Sequence, residues 1–428
     1  MIFQYRNLMR QKTALFAVTI IFIASCASPQ DLTPDMTTQS VQTVPTLTPF
    51  QPQLNAPADP FISSALPQPE ATYTPYPTQY VVAETLPASV QIISPSEVSS
   101  LNINNPLTGL TVSNPSLLQQ RPMAIKIANS PDYVRPQSGL TLADVVYEYY
   151  IEWGDTRFIA VFYSNNPTMV GPVRSGRYFD EHVTRMYHAF LVFKSADPRE
   201  LSYLKESDLN DFLVIVGFGG CSPYFKGPYN RDSYNNQFFN TTKWAACAIK
   251  KGVDNSAQVL SGGFFTEDVP ESALSVSRIF SHYSVYSYNY WEYDPATHKY
   301  FRYQEANDMD KGESEAYTAL SDAQTNLPVT AENVVVLFVP HIFANTYNAH
   351  DEVFNIDLID FGNAYVFRDG IAIPAIWNRT DKDQPILLTT LDGSPIYMRP
   401  GRTFYQVMGT TSTYTQNGSD WRFVFQTP

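Results

Sequence analysis

Hydrophobic and polar positions divide the chain into three stretches of different character. Residues 14–24 (ALFAVTIIFIA) form one unbroken apolar run, which is shorter than the roughly 20 residues that a membrane-spanning helix needs. From residue 27 to about 105 the chain is rich in Pro, Thr, Ser and Gln. Beyond residue 105 apolar positions recur with strand and helix periods, and this pattern predicts a folded region.

The first part of that region, residues 105–272, mixes the two periods. The stretch at 145–153 (VVYEYYIEW) alternates, and Gly154-Asp155 then forms a turn into a second apolar run, which predicts a β-hairpin. A helix is expected over 176–190, with Ser175 as its N-cap. A second helix is expected to end at Gly252. These alternating types predict a mixed α/β domain.

The second part, residues 273–428, predicts mainly strands. Asp294-Pro295, Asp369-Gly370 and Asp392-Gly393 each separate two strand-like runs, and Asp-Gly between alternating apolar residues is a strong hairpin signal. We therefore expect a smaller sandwich or barrel-like domain. The fold class predicted for the whole folded region is α+β.

The apolar run at 14–24 has the surroundings of an export signal. Arg6, Arg10 and Lys12 precede it, and this order of charge and apolarity is typical of a signal peptide, here residues 1–25. Ile23-Ala24-Ser25-Cys26 looks like a bacterial lipobox, in which Cys26 becomes the lipidated first residue. The alternative is an ordinary signal peptide with a chance cysteine. The lipobox interpretation predicts an extracytoplasmic protein anchored to the membrane by lipid.

Residues 26–104 are expected to form a disordered tether. Thirteen of the 32 prolines lie between Pro29 and Pro95, and Arg121 is the first basic residue after the signal peptide. Such a segment cannot bury enough apolar surface to offset its chain entropy.

The net charge of −13 excludes some partners. Loss of the three basic residues of the signal peptide would leave a still more acidic mature chain. An acidic surface argues against nucleic acid as a direct partner and against electrostatic attachment to an anionic bilayer. The lipid would therefore provide the attachment.

Two cysteines, Cys221 and Cys247, remain after Cys26. In an exported protein this number favours a disulfide, with two free buried thiols as the alternative. The six histidines show no metal-ligand spacing, and GxSxG, HExxH, Walker and dinucleotide motifs are absent from the sequence. The sequence thus predicts neither a metal site nor a cofactor, and it leaves open whether the protein is an enzyme.

Candidate chemistry centres on residues 171–177 (GPVRSGR), a predicted strand-to-helix junction with two arginines. Guanidinium groups there suit either an external anion or an internal carboxylate. The internal candidates are Asp180 and Glu181 on the predicted helix, and Glu148 and Glu152, which alternation places on one face of the predicted strand. The polar residues predicted to line one cleft are Arg135, Asp144, Glu148, Arg157, Arg174 and Arg177.

Several long blocks resemble the YerB-like bacterial lipoproteins, a family defined by two consecutive domains of unknown function. The blocks are RPMAIKIANS (121–130), residues 135–164, GPVRSGRYF (171–179) and GNAYVFRDGIAIPAIWNR (362–379). The resemblance implies a lipoprotein with two domains and implies no reaction. The chain departs from the family at YNNQFFN (234–240), where a histidine-containing stretch is usual.

The function expected from these features is a lipid-anchored binding or interaction protein of the bacterial cell envelope. Its partner would be a cell-wall polymer or another envelope protein, and the oligomeric state is left open. The alternative is a wall-active hydrolase or transferase that uses Glu148, with Arg174 and Arg177 holding the substrate.

Overall fold

The computed structural model describes residues 103–428 except 218–220, 222, 228–231, 261–262, 308 and 345–351. The predicted signal peptide, Cys26 and most of the tether lie outside the described residues. Within them, the N-terminal part of the chain contains three α-helices: α1 (Phe179–Met186), α2 (Pro198–Glu206) and α3 (Trp244–Lys251). Its strands are β1 (Met123–Ala128), β2 (Val145–Tyr150), β3 (Thr156–Phe162), β4 (Phe190–Phe193), β5 (Leu213–Ile215), β6 (Tyr224–Lys226), β7 (Gln237–Phe239) and β8 (Phe264–Phe265).

The C-terminal part is built from strands, as the sequence predicted. They are β9 (Arg278–Ser284), β10 (Ser287–Asp294), β11 (Lys299–Glu305), β12 (Tyr317–Ala319), β13 (Thr330–Ala331), β14 (Asn333–Val339), β15 (His341–Phe343), β16 (Phe354–Ile356), β17 (Asp360–Arg368), β18 (Ile371–Arg379), β19 (Leu387–Thr389), β20 (Tyr397–Met398), β21 (Thr403–Gly409), β22 (Thr413–Asn417) and β23 (Asp420–Val424). Short 3₁₀ turns lie at Pro115–Gln119, Asp132–Val134, Leu140–Leu142, Asn210–Phe212, Thr241–Lys243 and Met309–Lys311.

Ten of the described strands form one mixed sheet in the order β19-β18-β17-β14-β21-β2-β3-β1-β4-β5. At its centre β21 pairs in parallel with both β14 and β2. The sheet therefore joins strands from both sides of the predicted boundary between residues 272 and 273. That boundary divides the sequence into a mixed and a mainly-β segment, and the two segments share this sheet.

The remaining larger sheet has the order β12-β11-β10-β9-β23-β22, with β13 pairing to β11. It covers one face of the ten-stranded sheet, where the rings of Phe158, Trp291 and Phe404 pack together. On the other face α1 contributes Phe179, which packs against Tyr147 and Tyr149. Both faces of the central strands are thus covered, and β1, β2 and β3 are buried at every position. A charged residue in these strands needs a partner inside the protein.

The α+β fold class is confirmed, and so are several local predictions. Gly154-Asp155 joins β2 to β3, Asp369-Gly370 joins β17 to β18, and Gly252 ends α3 in a left-handed conformation. Among the described helices, none combines the length and apolarity required to cross a bilayer.

Three local predictions need correction. The strand predicted over 145–153 ends at Tyr150, because the chain turns at 151–155 toward β3. The helix predicted from residue 176 begins at Phe179, and Ser175 is not its N-cap. The turn at Asp392-Gly393 is closed by one bridge between Thr389 and Pro395, and β20 pairs with β8 instead.

Candidate functional site

The segment 171–177 lies in extended conformation along the end of β1. Val173 donates its backbone N–H to Gln237, and Arg174 donates its own to Lys126. Gly176 then donates to the carbonyl of Ser195, which follows β4. These backbone bonds delay the start of α1, and they place Arg174 and Arg177 on the helix-bearing face of the large sheet, near β3 and α2.

Arg177 is neutralised by carboxylates of the protein. Its Nε donates to Glu152 at 2.9 Å, and its Nη1 lies 3.6 Å from Glu200 on α2. Burial would lower the pKa of Arg177, but Glu152 and Glu200 outweigh burial and raise it. An internal carboxylate was one of the two alternatives for this arginine, and Glu152 was one of the candidates. The other candidates were Asp180, Glu181 and Glu148.

Those three carboxylates have other roles. Asp180 accepts the backbone N–H of Arg177 at 2.8 Å and binds Lys126 Nζ at 3.0 Å. Glu181 pairs with Arg185 at 2.7 Å. Glu148 lies on the opposite face of the sheet.

Arg157 and Arg174 differ from Arg177, because neither forms an ion pair within the described part of the chain. Arg157, which is 7% exposed, donates one hydrogen bond, from Nη1 to the carbonyl of Ser175 at 3.3 Å. Arg174 donates one, from Nη1 to the carbonyl of Tyr234 at 3.4 Å, and its buried Nε has no acceptor. Most donors of these two neighbouring guanidinium groups therefore have no acceptor among the described residues.

Burial and the charge of Arg177 lower the pKa of both arginines. Burial, together with the positive charges of Arg177 and Arg174, lowers the pKa of Arg157 to about 9. Glu152 and Asp155 attract Arg157 at longer range, and Asp155 and Asp232 attract Arg174. Of these, Glu152 is already paired with Arg177, and Asp155 accepts a hydrogen bond from Ser130 Oγ at 2.6 Å. An added anion between the two guanidinium groups would be stabilised.

Two further titratable residues of this cluster were not singled out by the sequence analysis. Lys126 is fully buried in β1 beside Tyr149 and Asp180, and burial lowers its pKa to about 7. Glu200 is fully buried in α2, and burial raises its pKa to about 7 although Arg177 opposes this shift. The lysine within the apolar run MAIKIA was a signal that could have been used. Glu200 carried no comparable signal, because its partner comes from a distant part of the sequence.

Glu148 is separated from the arginine cluster by the sheet itself. Its Oε2 lies 2.8 Å from Arg302 Nη2, and both side chains are fully buried between the two large sheets. Asn129 and Thr156 donate to its other oxygen at 3.1 and 2.9 Å. This carboxylate is saturated by the protein and has no path to a substrate held by Arg174.

Arg135 and Asp144 also lie apart from the cluster. Arg135 pairs with Glu305 of β11 and donates to the carbonyl of Asn129. Asp144 accepts the backbone N–H groups of Tyr163 and Ser164 at 2.6 and 3.0 Å, beside a separate cavity of about 350 Å³. The predicted single cleft of six residues is therefore not formed: the structure brings together Arg157, Arg174 and Arg177 and places the other three elsewhere.

Cys221 and Cys247 form a disulfide, as the sequence predicted. Among the described residues, no group of three or more His, Cys, Asp and Glu side chains is arranged to hold a metal ion.

Comparison with known proteins gives a family for the chain. Residues 107–254 match the N-terminal domain, and residues 279–405 the C-terminal domain, of a protein family of unknown function, DUF3048. The chain belongs to the DUF3048 family. The arginine cluster lies within the N-terminal DUF3048 match, and the ten-stranded sheet takes strands from both matches.

One relative is "Putative lipoprotein YerB" of Bacillus subtilis (strain 168). It is 25% identical over 305 residues, which are 71% of this chain and 85% of the relative. The crystal structure of the YerB protein from Bacillus subtilis is similar to the fold described above, with a TM-score of 0.60 and 24% identity over 72% of this chain and 96% of that one. This DUF3048 relationship confirms the resemblance to YerB-like proteins and fits the expectation of an envelope lipoprotein. It does not identify a ligand or a reaction.

Proposed function

We propose that this protein is a lipid-anchored binding protein of the bacterial cell envelope, and that it binds an anionic group at Arg157 and Arg174. Cys26 carries the lipid and residues 26–104 form the tether in this proposal. The name of the Bacillus relative supports the anchored, extracytoplasmic location.

The observation that carries the binding proposal is that neither guanidinium group has an ion-pair partner within the described ranges of the chain. A buried or half-buried cation without a counter-charge is costly. A bound anion would offset this unfavourable free energy. Guanidinium groups bind phosphates and carboxylates with two parallel hydrogen bonds. Phosphate groups of wall polymers and carboxylates of envelope peptides both supply this chemistry.

The catalytic alternative receives less support from the geometry. It assigned the chemistry to Glu148, with Arg174 and Arg177 as substrate clamps. Glu148 and Arg174 act on opposite faces of the sheet, and Arg177 is occupied by Glu152 and Glu200. A hydrolase would need a carboxylate that reaches the bound substrate.

A co-sedimentation experiment tests the proposal. The mature chain from Ala27 onward, prepared without lipid and with its disulfide intact, is mixed with isolated bacterial envelope. We expect Arg174→Ala to lower the bound fraction and raise the apparent Kd roughly tenfold or more, because one charge-assisted hydrogen bond contributes about 1.5–3 kcal/mol. Binding of the unaltered protein should weaken as salt is added.

The matched control is Arg278→Ala. Arg278 is a half-exposed arginine paired with Asp420 in the other sheet, so its removal changes the net charge by the same amount away from the cluster. We expect this variant to sediment like the unaltered protein. Equal sedimentation of the Arg174→Ala variant and the unaltered protein would overturn the proposal.

A further inference from the structure

A second site lies away from the arginine cluster, at the β18–β19 end of the large sheet. It is a cavity of about 540 Å³, within the range of about 300–1,000 Å³ that is typical of small-molecule sites. Its buried floor is formed by Leu107, Leu388, Ile396 and Met398. Its rim is exposed, and Phe264 on the rim is 43% exposed. The cavity is thus apolar inside and open to solvent.

Arg379 is the charged residue in the wall of this cavity. It is 1% exposed, and it donates Nε to Gln384 and Nη1 to Leu358 and His182 at 2.9, 2.6 and 2.9 Å. Its Nη2 donates to the carbonyl of Lys382. A guanidinium group has five N–H donors, so one N–H of Nη2 is left without an acceptor among the described residues.

The charge of Arg379 is not balanced by a direct partner in the described part of the chain. Its acceptors are three backbone carbonyls and a histidine nitrogen, and burial lowers its pKa to about 10. Burial, together with the charge of Arg379, lowers the pKa of His182 to about 3, so this ring is neutral. The nearby carboxylates of Glu181 and Asp383 are both ion-paired with Arg185.

We propose that this cavity binds an amphiphile with a single long hydrocarbon chain and an anionic head group. The oxyanion head accepts the free N–H of Arg379 and supplies the missing counter-charge, which offsets part of the cost of a buried cation. The chain covers the apolar floor, where every buried CH₂ adds to the affinity. A neutral lipid would gain only the second term, so Arg379 makes the site selective for acids.

Displacement of a fluorescent fatty acid, cis-parinaric acid, from the lipid-free mature chain tests this proposal. The competitors are dodecanoate, dodecyl phosphate and dodecanol, each below the concentration at which it aggregates. We expect at least one of the two acids to displace the probe at least tenfold more effectively than dodecanol. A preference for the carboxylate or for the phosphate supports the proposal and identifies the head group.

Two variants locate the site. Leu388→Trp fills the floor of the cavity and should abolish probe binding. Leu327→Trp makes the same change at an exposed position outside the cavity lining, and probe binding should be unchanged. Thermal unfolding confirms that both variants are folded. Binding that survives Leu388→Trp, equal displacement by dodecanol and both acids, or no binding of the probe would each overturn the proposal.

Discussion

At the scale of single residues, the arginine cluster contains charges that are unevenly compensated. Arg177 has two carboxylate partners, whereas no carboxylate of the described residues is in direct contact with Arg157 or Arg174. Glu200 shows the opposite imbalance: neither of its buried carboxylate oxygens accepts a hydrogen bond from the part of the chain that the structure describes, and Arg177 lies 3.6 Å away. Buried charges of this kind make the stability of the protein depend on pH.

Glu200 gives a prediction with a definite sign. Its pKa rises from an ordinary 4.5 to about 7 on folding, so the folded protein holds more protons than the unfolded chain between these values. The free energy of unfolding therefore falls as pH rises through this window, and the loss is complete above pH 7. The Glu200→Gln variant cannot titrate at this position. Its free energy of unfolding, relative to that of the unaltered protein, should therefore be higher at pH 8 than at pH 5, by up to about 3 kcal/mol.

Urea unfolding at the two pH values measures this difference. Glu206→Gln is the control, because Glu206 lies on the same helix but is exposed. An identical stability difference for Glu200→Gln at pH 5 and pH 8 would contradict the account of this carboxyl.

At the scale of elements, two Asp-Gly turns with the same local sequence have different surroundings. Asp369 and Gly370 both have positive φ, at 52° and 72°, and they join β17 directly to β18, as a two-residue type I′ turn requires. Gly393 also has positive φ, at 87°. A Cβ added to Gly370 would lie 2.6 Å from Cε1 of Tyr293, whereas one added to Gly393 meets no atom within 4 Å.

Alanine at each glycine separates backbone strain from crowding. Both variants incur the strain of positive φ, but Gly370→Ala must also displace the ring of Tyr293. We expect Gly370→Ala to be more destabilising than Gly393→Ala by about 1–3 kcal/mol, the usual cost of overpacking. Chemical denaturation of the two variants checks this, and equal losses of stability would show that the ring adjusts freely.

The elements also show what local sequence can and cannot predict. The β17–β18 hairpin was predictable because turn residues and alternation lie within one short stretch. The start of α1 was not, because Arg174 and Gly176 are held extended by Lys126 and Ser195, which are distant in sequence. Periodicity placed Glu148 and Glu152 on one strand face, but β2 ends between them, so one faces Arg302 and the other Arg177.

At the scale of the whole molecule, the sequence predicted two segments of different character but not their shared sheet. Val145 of β2 pairs with Thr403 of β21, and Asn333 of β14 pairs with the same residue from the other side. All the described residues fall within one compact unit. Parallel pairing between remote strands leaves no local signal, so it could not be derived from periodicity.

The anchor is also a property of the whole molecule. Cys26→Ala removes the proposed site of lipid attachment, and we expect the variant to be recovered in the soluble fraction when the cells are fractionated. The reason is that the acidic chain has no electrostatic attraction to an anionic bilayer. The control is the Cys26→Ala variant fused to a membrane-spanning segment, which should restore its recovery with the membrane. Membrane recovery of Cys26→Ala equal to that of the unaltered protein would contradict the lipid anchor.

The central claim, an anion site between Arg157 and Arg174, is tested most directly by crystals soaked in selenate, a tetrahedral oxyanion whose anomalous scattering reveals its position. We predict a peak within hydrogen-bonding distance of both guanidinium groups, absent from crystals of the Arg174→Ala variant. Guanidinium groups in direct contact with the carboxylates of Asp155 or Asp232, with no selenate between them, would contradict the account.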